Sequence, residues 1–408
     1  MTESTTIRVN PLPSPTWRWL RINDAEITLP SVEWLGEALA EVSVPDGAGA
    51  KPAFTAEEMD RLSGLETGMG QAFQEYTSGA PVDPFLWKTA AGEKTAEPLV
   101  ARIYATGTES TVNRFLLAAE KDSELTILQY LTKEDSAAEK AAGSDDNGPV
   151  EAGSTSGREH GDGATEPGST SGREHDAAAA EPVSMTVDTR LYLHAGAKVK
   201  LIQVCNTFEE MSAYSDVGAY LEEGADLEIL QIAISAKDTF FGIAADLAGK
   251  GSHLGIRTGY QAAQGQKIDV NYVARHRGEQ TTTSMDTKGV LWKGAAKSWR
   301  ATVDFIRGCR GARGSEREDV LLLDEDVVNK TIPLILCQEE DVEGEHGATI
   351  GDLSDDVLLY FRSRGIDDET AYRLMATGRL LGCVSQVPDA ALRAELMTAL
   401  GEEPEESE

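Results

Sequence analysis

From residue 190 to 351 the chain keeps returning to one unit: a glycine, small or polar residues, then alternating apolar residues. It recurs as Gly196-Ala197-Lys198-Val199-Lys200-Leu201, Gly224-Ala225-Asp226-Leu227-Glu228-Ile229 and Gly251-Ser252-His253-Leu254-Gly255-Ile256. Gly265-Gln266-Lys267-Ile268-Asp269-Val270 and Gly294-Ala295-Ala296-Lys297-Ser298-Trp299 continue it, with start-to-start spacings of 28, 27, 14 and 29. A glycine turn followed by a short strand, repeated at multiples of ~14 or ~28, suits a coil of strands. Each turn of such a coil buries its inner face against its neighbours. No ten-residue helical pattern intervenes, which argues against strand–helix–strand units. The expected fold is therefore mainly β, a parallel β-helix over residues 96–351, with a Greek-key sandwich as its competitor.

The flanks read differently. Residues 1–95 carry apolar residues at helical spacing (Leu35, Leu39 and Val42; then Phe54, Met59, Leu62, Leu65 and Met69), which predicts a small N-terminal helical domain. Trp17 and Trp19 read as anchors of that terminus to a core. Leu125–Leu131 and Thr189–Leu193 alternate as strands. Between them, residues 136–184 hold no Leu, Ile, Phe, Tyr or Trp, and repeat Gly153–His160 as Gly168–His175. Such a segment cannot bury a core and reads as a flexible acidic insert, with His160 and His175 as linker residues. Residues 352–400 return to helical spacing. Ser354 is placed to cap one helix, a second is expected over Asp368–Thr377, and a third carries the stripe Leu392, Leu396, Leu400. An acidic tail closes the chain at 401–408.

Charge narrows the classes of partner. Acidic residues outnumber basic ones 69 to 37, a net charge of −32, which disfavours nucleic acid because phosphate binding needs concentrated Lys and Arg. With only 15 Lys against 22 Arg, this diffuse acidity fits a salt-rich cytoplasm, as in a halophilic archaeon, where screening removes self-repulsion. No secretory signal or membrane-spanning run is visible, so a cytoplasmic location is expected. Cys205, Cys309, Cys337 and Cys383 form no close-spaced pair, which disfavours structural zinc and a disulfide framework.

The densest motif lies near the C-terminus. Asp341-Val342-Glu343-Gly344-Glu345-His346-Gly347-Ala348-Thr349-Ile350-Gly351 is followed by Leu358-Leu359-Tyr360-Phe361-Arg362-Ser363-Arg364-Gly365-Ile366. Upstream stand Asn271–Gly278, Arg317–Leu323 and Asn329–Cys337. In this order the stretches resemble the SufB/SufD family of iron–sulfur cluster assembly proteins. The resemblance implies a right-handed β-helix core with helical domains at both ends. It also implies a complex with an ABC-type ATPase, SufC, docked on the C-terminal helices. A second β-helix subunit, SufB-like or a copy of this chain, would pair with it, with a nascent iron–sulfur cluster held transiently near the interface. No stable cofactor is implied. The chain has no GxxxxGK[ST] phosphate loop, so it reads as a scaffold and not an enzyme.

His346 matches the family's functional histidine, and Glu345 the acidic neighbour found in the SufB branch. Imidazole and carboxylate can both hold iron before sulfide arrives. The bland alternative is a turn cap paired with Glu345. Cys337, at an expected strand end, matches a thiol of many relatives; its alternative is a buried inert cysteine. Counting back from Cys337, Glu318 stands roughly where the SufB branch keeps its sulfur-receiving cysteine, and Gly344 stands where SufD relatives often carry a thiol. These departures favour a SufD-like subunit whose main thiol lies on another chain; a self-pairing relative of both branches is the near variant. His194, His253 and His276 read as hydrogen-bonded structural histidines. A carbohydrate-active β-helix enzyme and a non-catalytic structural β-helix remain open as alternatives.

Overall fold

The computed structural model describes residues 4–16, 18–35, 40–45, 53–105, 109–133, 183–207 and 210–401. The insert expected at 136–184 therefore lies outside the described residues except for its last two positions, as do Trp17 and all but the first residue of the acidic tail.

Two stacked sheets, parallel except where the strand Ala40–Ser43 joins, make up the body. One joins β4 (Phe85–Lys88), β6 (Thr111–Ala119), β8 (Ser184–Leu193), β10 (Ser212–Leu221), β12 (Asp238–Leu247), β14 (Lys267–His276), β16 (Ala296–Phe305) and β18 (Val328–Cys337). The other joins β3 (Ala40–Ser43), β5 (Leu99–Ala105), β7 (Glu124–Lys133), β9 (Lys198–Asn206), β11 (Asp226–Ser235), β13 (His253–Ala262), β15 (Thr282–Leu291), β17 (Ala312–Leu322) and β19 (Val342–Gly351). Consecutive strands fall in alternate sheets, so two strands complete one turn of a parallel β-solenoid. Asp226 pairs in register with His253, and Lys267 with Ala296, one turn on in each case. The repeat glycines punctuate it: Gly196, Gly224, Gly251, Gly265 and Gly294 all sit at φ between 64° and 78°, in the left-handed region that suits glycine.

The inner faces of the two sheets form the core. Along the axis runs a polar column within it. Gln231 donates to Gln203 at 2.8 Å, Gln203 donates to Gln129 at 2.9 Å, and the Tyr272 hydroxyl donates to Gln231 at 2.7 Å. The three glutamines meet one turn apart and Tyr272 reaches Gln231 from the facing sheet, so the buried amides are held mainly by one another.

The N-terminal stretch, expected to be helical, holds two helices and more strand than its spacing suggested. α1 (Ala56–Gly64) and α2 (Gln71–Gly79) are accompanied by an antiparallel pair, β1 (Ser4–Val9) with β2 (Ala25–Pro30). Val42 lies in β3 and not in a helix, and the solenoid begins by β4, before residue 96. Phe85-Leu86-Trp87-Lys88 is a short apolar run, which periodicity alone cannot assign to strand or helix. Trp19 is 73% exposed, so it does not anchor the terminus to a core. This stretch lies on the outer face of the eight-stranded sheet. Arg300 donates to the Ile22 and Asp24 carbonyls and to Asp269, while Arg190 donates to the Leu62 and Ser63 carbonyls.

At the C-terminus, α3 (Asp355–Ser363) is capped by Ser354, and α5 (Ala390–Ala399) by Asp389. α4 spans Asp368–Val384 and runs through Gly378, where the sequence suggested an end. Leu380, Cys383 and Val384 pack with Leu392, Leu396 and Leu400 against Ile202, Val204, Leu230 and Ile232 on the outer face of the nine-stranded sheet. That burial outweighs the cost of about 1 kcal/mol for a mid-helix glycine.

Candidate functional site

Among the described residues the solenoid ends without a cap at β18 and β19, each paired on one side only. β19 is almost wholly exposed, and β18 is half-buried along most of its length. This end carries every residue singled out from the sequence motif.

Alternation assigns their directions. On β17 the buried positions are Ala312, Gly314, Glu316, Glu318 and Val320, which face inward. Their in-register partners on β19 are Val342, Gly344, His346, Ala348 and Ile350. His346 thus belongs to the inner wall of the last turn, whereas Glu345, its strand neighbour, faces out. The two are not a chelating pair, because successive strand residues point to opposite faces. Both are exposed, and among the described residues neither side chain has a hydrogen-bond or ion-pair partner.

Cys337 ends β18 on the opposite wall, in register with the inward Phe305. It is exposed, unlike Cys205, Cys309 and Cys383, and its thiol donates to the Glu339 carbonyl at 3.0 Å. Gly344 leaves no easy room for a thiol. A Cβ there would lie 3.1 Å from the Phe305 ring and 3.2 Å from Ile335.

Glu318 is not an open acceptor. It is fully buried, ion-paired with Lys297, and accepts from Thr331 at 2.6 Å. Burial depresses the Lys297 pKa, and the Glu318 carboxylate beside it opposes that fall. A buried pair so engaged serves structure, since removing either partner would strand a charge.

Glu316 escaped the sequence reading. It is 0% exposed, and among the described residues neither carboxyl oxygen makes a well-formed hydrogen bond. Burial pushes its pKa up to about 8, against a pull from the nearby Val303 and Leu334 amides. One turn of about 30 residues separates Glu316 from His346, so the repeat length itself held the signal. The other histidines are engaged as expected. His194 lies 2.9 Å from Glu58, His253 lies 2.7 Å from the Thr282 hydroxyl and 3.2 Å from Glu228, and His276 lies 2.7 Å from Thr281.

Residues 170–379 match the family profile described as SUF system FeS cluster assembly, SufBD core domain. Among curated relatives, the iron–sulfur cluster assembly protein SufB of Bacillus subtilis is 28% identical over 167 residues, 41% of this chain and 36% of that protein. A SufBD family protein of Mycobacterium leprae is 28% identical over 170 residues, 42% of this chain and 20% of the relative. One from Staphylococcus epidermidis is 24% identical over 198 residues, covering 48% and 43%. The chain therefore spans less than half the length of each of these relatives. With the profile covering half of its length, and with the profile's strands forming the uncapped solenoid, the chain belongs to the SufBD family of iron–sulfur cluster assembly proteins.

Proposed function

We propose that this chain is a non-catalytic scaffold subunit of a SUF assembly complex, in the SufD-like role, working in a salt-rich cytoplasm. A SufB-type partner, or a second copy, stacks on the open end, and a SufC-type ATPase docks on the C-terminal helices and supplies ATP hydrolysis. The nascent iron–sulfur cluster is cargo, held transiently by His346 with Cys337 on the facing wall. The observation that carries this reading is the uncapped last turn. Its free edges offer main-chain hydrogen bonds to another chain, and its inner wall presents an unpaired imidazole and the exposed thiol. Membership of the family displaces the carbohydrate-active and purely structural alternatives.

The stripe on α5 is buried, so it is not the docking surface. Leu359 and Tyr360 on α3, 62% and 55% exposed, and Leu374 on α4, 47% exposed, supply the apolar face instead. Deleting 352–400 would uncover the outer face of the nine-stranded sheet, so point changes make the cleaner test. Leu359→Asp with Tyr360→Ala should keep the circular dichroism spectrum and abolish co-purification of the ATPase from the host. His346→Ala should retain both partners yet fail to support iron–sulfur enzymes in a strain lacking the gene. Full complementation by His346→Ala would return that residue to a structural role.

A further inference from the structure

We propose that Glu316, and not Glu345, is the carboxylate that works with His346, the two forming an oxygen–nitrogen site for a divalent first-row metal ion just inside the open end. This rests on the reading of that end as the assembly site, and it names the ligands that receive the metal.

Burying a carboxyl group with no hydrogen-bond partner costs about 1–3 kcal/mol by protein mutational data, and such groups are rare enough to need a reason. Glu316 is fully buried, and among the described residues neither oxygen makes a well-formed hydrogen bond; only the Val303 and Leu334 amides pull on it, too weakly to offset its burial. Its neighbour toward the open end, on the same inner wall, is His346, an exposed imidazole with no partner among the described residues. In-register strands lie about 4.8 Å apart. Two ligand bonds of about 2.0–2.2 Å span that gap once the side chains lean toward one another. Gly344 and Ala348 flank His346 on the inner face, so no bulky chain crowds the imidazole along its own strand. Imidazole nitrogen with carboxylate oxygen is a donor set for borderline divalent ions, and an exposed thiol on the facing wall leaves a later place for a sulfur ligand.

The other carboxylates nearby do not fit. Glu318 is taken up by Lys297 and Thr331, and Glu345 faces outward. Two other groups among the described residues could hold an ion and lie elsewhere: Glu58 with Glu120 and His194, where Lys88 already pairs with both carboxylates, and Asp226 with Glu228 and His253 on the outer face of the nine-stranded sheet. There His253 already spans Thr282 and Glu228.

The test is an anaerobic Co2+ titration of the full-length chain, followed by visible absorption, in a background with both His194→Ala and His253→Ala, which removes a ligand from each of the other two groups. One Co2+ site is expected. Glu316→Gln and His346→Ala should each weaken it by at least about tenfold, because losing a ligand exceeds the 10–100-fold typical of losing a supporting partner. Glu345→Gln should leave it unchanged. Glu316→Met, apolar and of similar length, is the second variant should the amide perturb folding; both are checked by circular dichroism. Undiminished affinity in the folded Glu316 variants overturns the proposal. If His346→Ala alone weakens binding, the functional reading of the open end stands without Glu316. If neither change matters, or the parent binds no Co2+, both fall.

Discussion

Asp216, on β10, is a buried carboxyl that holds the N-terminal stretch in place. It accepts the Met69 amide at 2.8 Å. Burial, with Asp188 beside it, pushes its pKa from 3.8 up to about 8, against the opposing pull of Thr67, the Met69 amide and Arg190. The folded protein therefore keeps a proton that the unfolded chain has already released. The stability tied to that proton is fully present below about pH 4 and drains away as pH rises toward 8, at up to ~1.4 kcal/mol per unit. Asp216→Asn keeps an acceptor for the Met69 amide, adds a donor toward Asp188, and titrates nowhere in this range. Between pH 5 and pH 8 the melting midpoint of the parent should fall clearly more than that of Asp216→Asn. Parallel slopes would show that the group titrates as it would in water.

The N-terminal stretch crosses the eight-stranded sheet at very close range. At Gly68 a Cβ atom would lie 1.9 Å from the Ile243 nitrogen and 2.3 Å from the Gly242 carbonyl carbon, both backbone atoms that cannot swing aside. Gly68→Ala should lift this stretch from the sheet while leaving the solenoid intact. Hydrogen exchange would then show lost protection over residues 62–78 and unchanged protection in β14 and β16. Equal protection in both forms would refute the close approach. Contacts of this kind are invisible in a sequence, because they join residues about 175 positions apart. The repeat glycines were legible, since a turn in the left-handed region asks locally for glycine. The three C-terminal helices were legible too, except that sheet packing carries α4 past Gly378. At the site, the position of His346 could be read from its motif. The outward direction of Glu345 and the burial of Glu316 could not, because both depend on how two sheets close over each other.

Across the whole molecule a net charge of −32 acts against compaction. At low ionic strength these charges repel over about 10 Å, and at about 1 M salt over only about 3 Å. The melting midpoint should therefore climb steadily as KCl is raised from about 0.1 M to about 2 M, and a flat response would count against adaptation to salt. The two ends of the solenoid are also unlike. At its start the sheets taper into the four-residue strands β3 and β4, and β3 runs antiparallel to its neighbour; at its finish two ten-residue strands stand with free edges. When two such chains meet finish to finish, no full-length edge is left over to recruit a third. The proposed pairing, finish to finish, would therefore close on two chains, where stacked strands with two like edges would go on growing into a fibre.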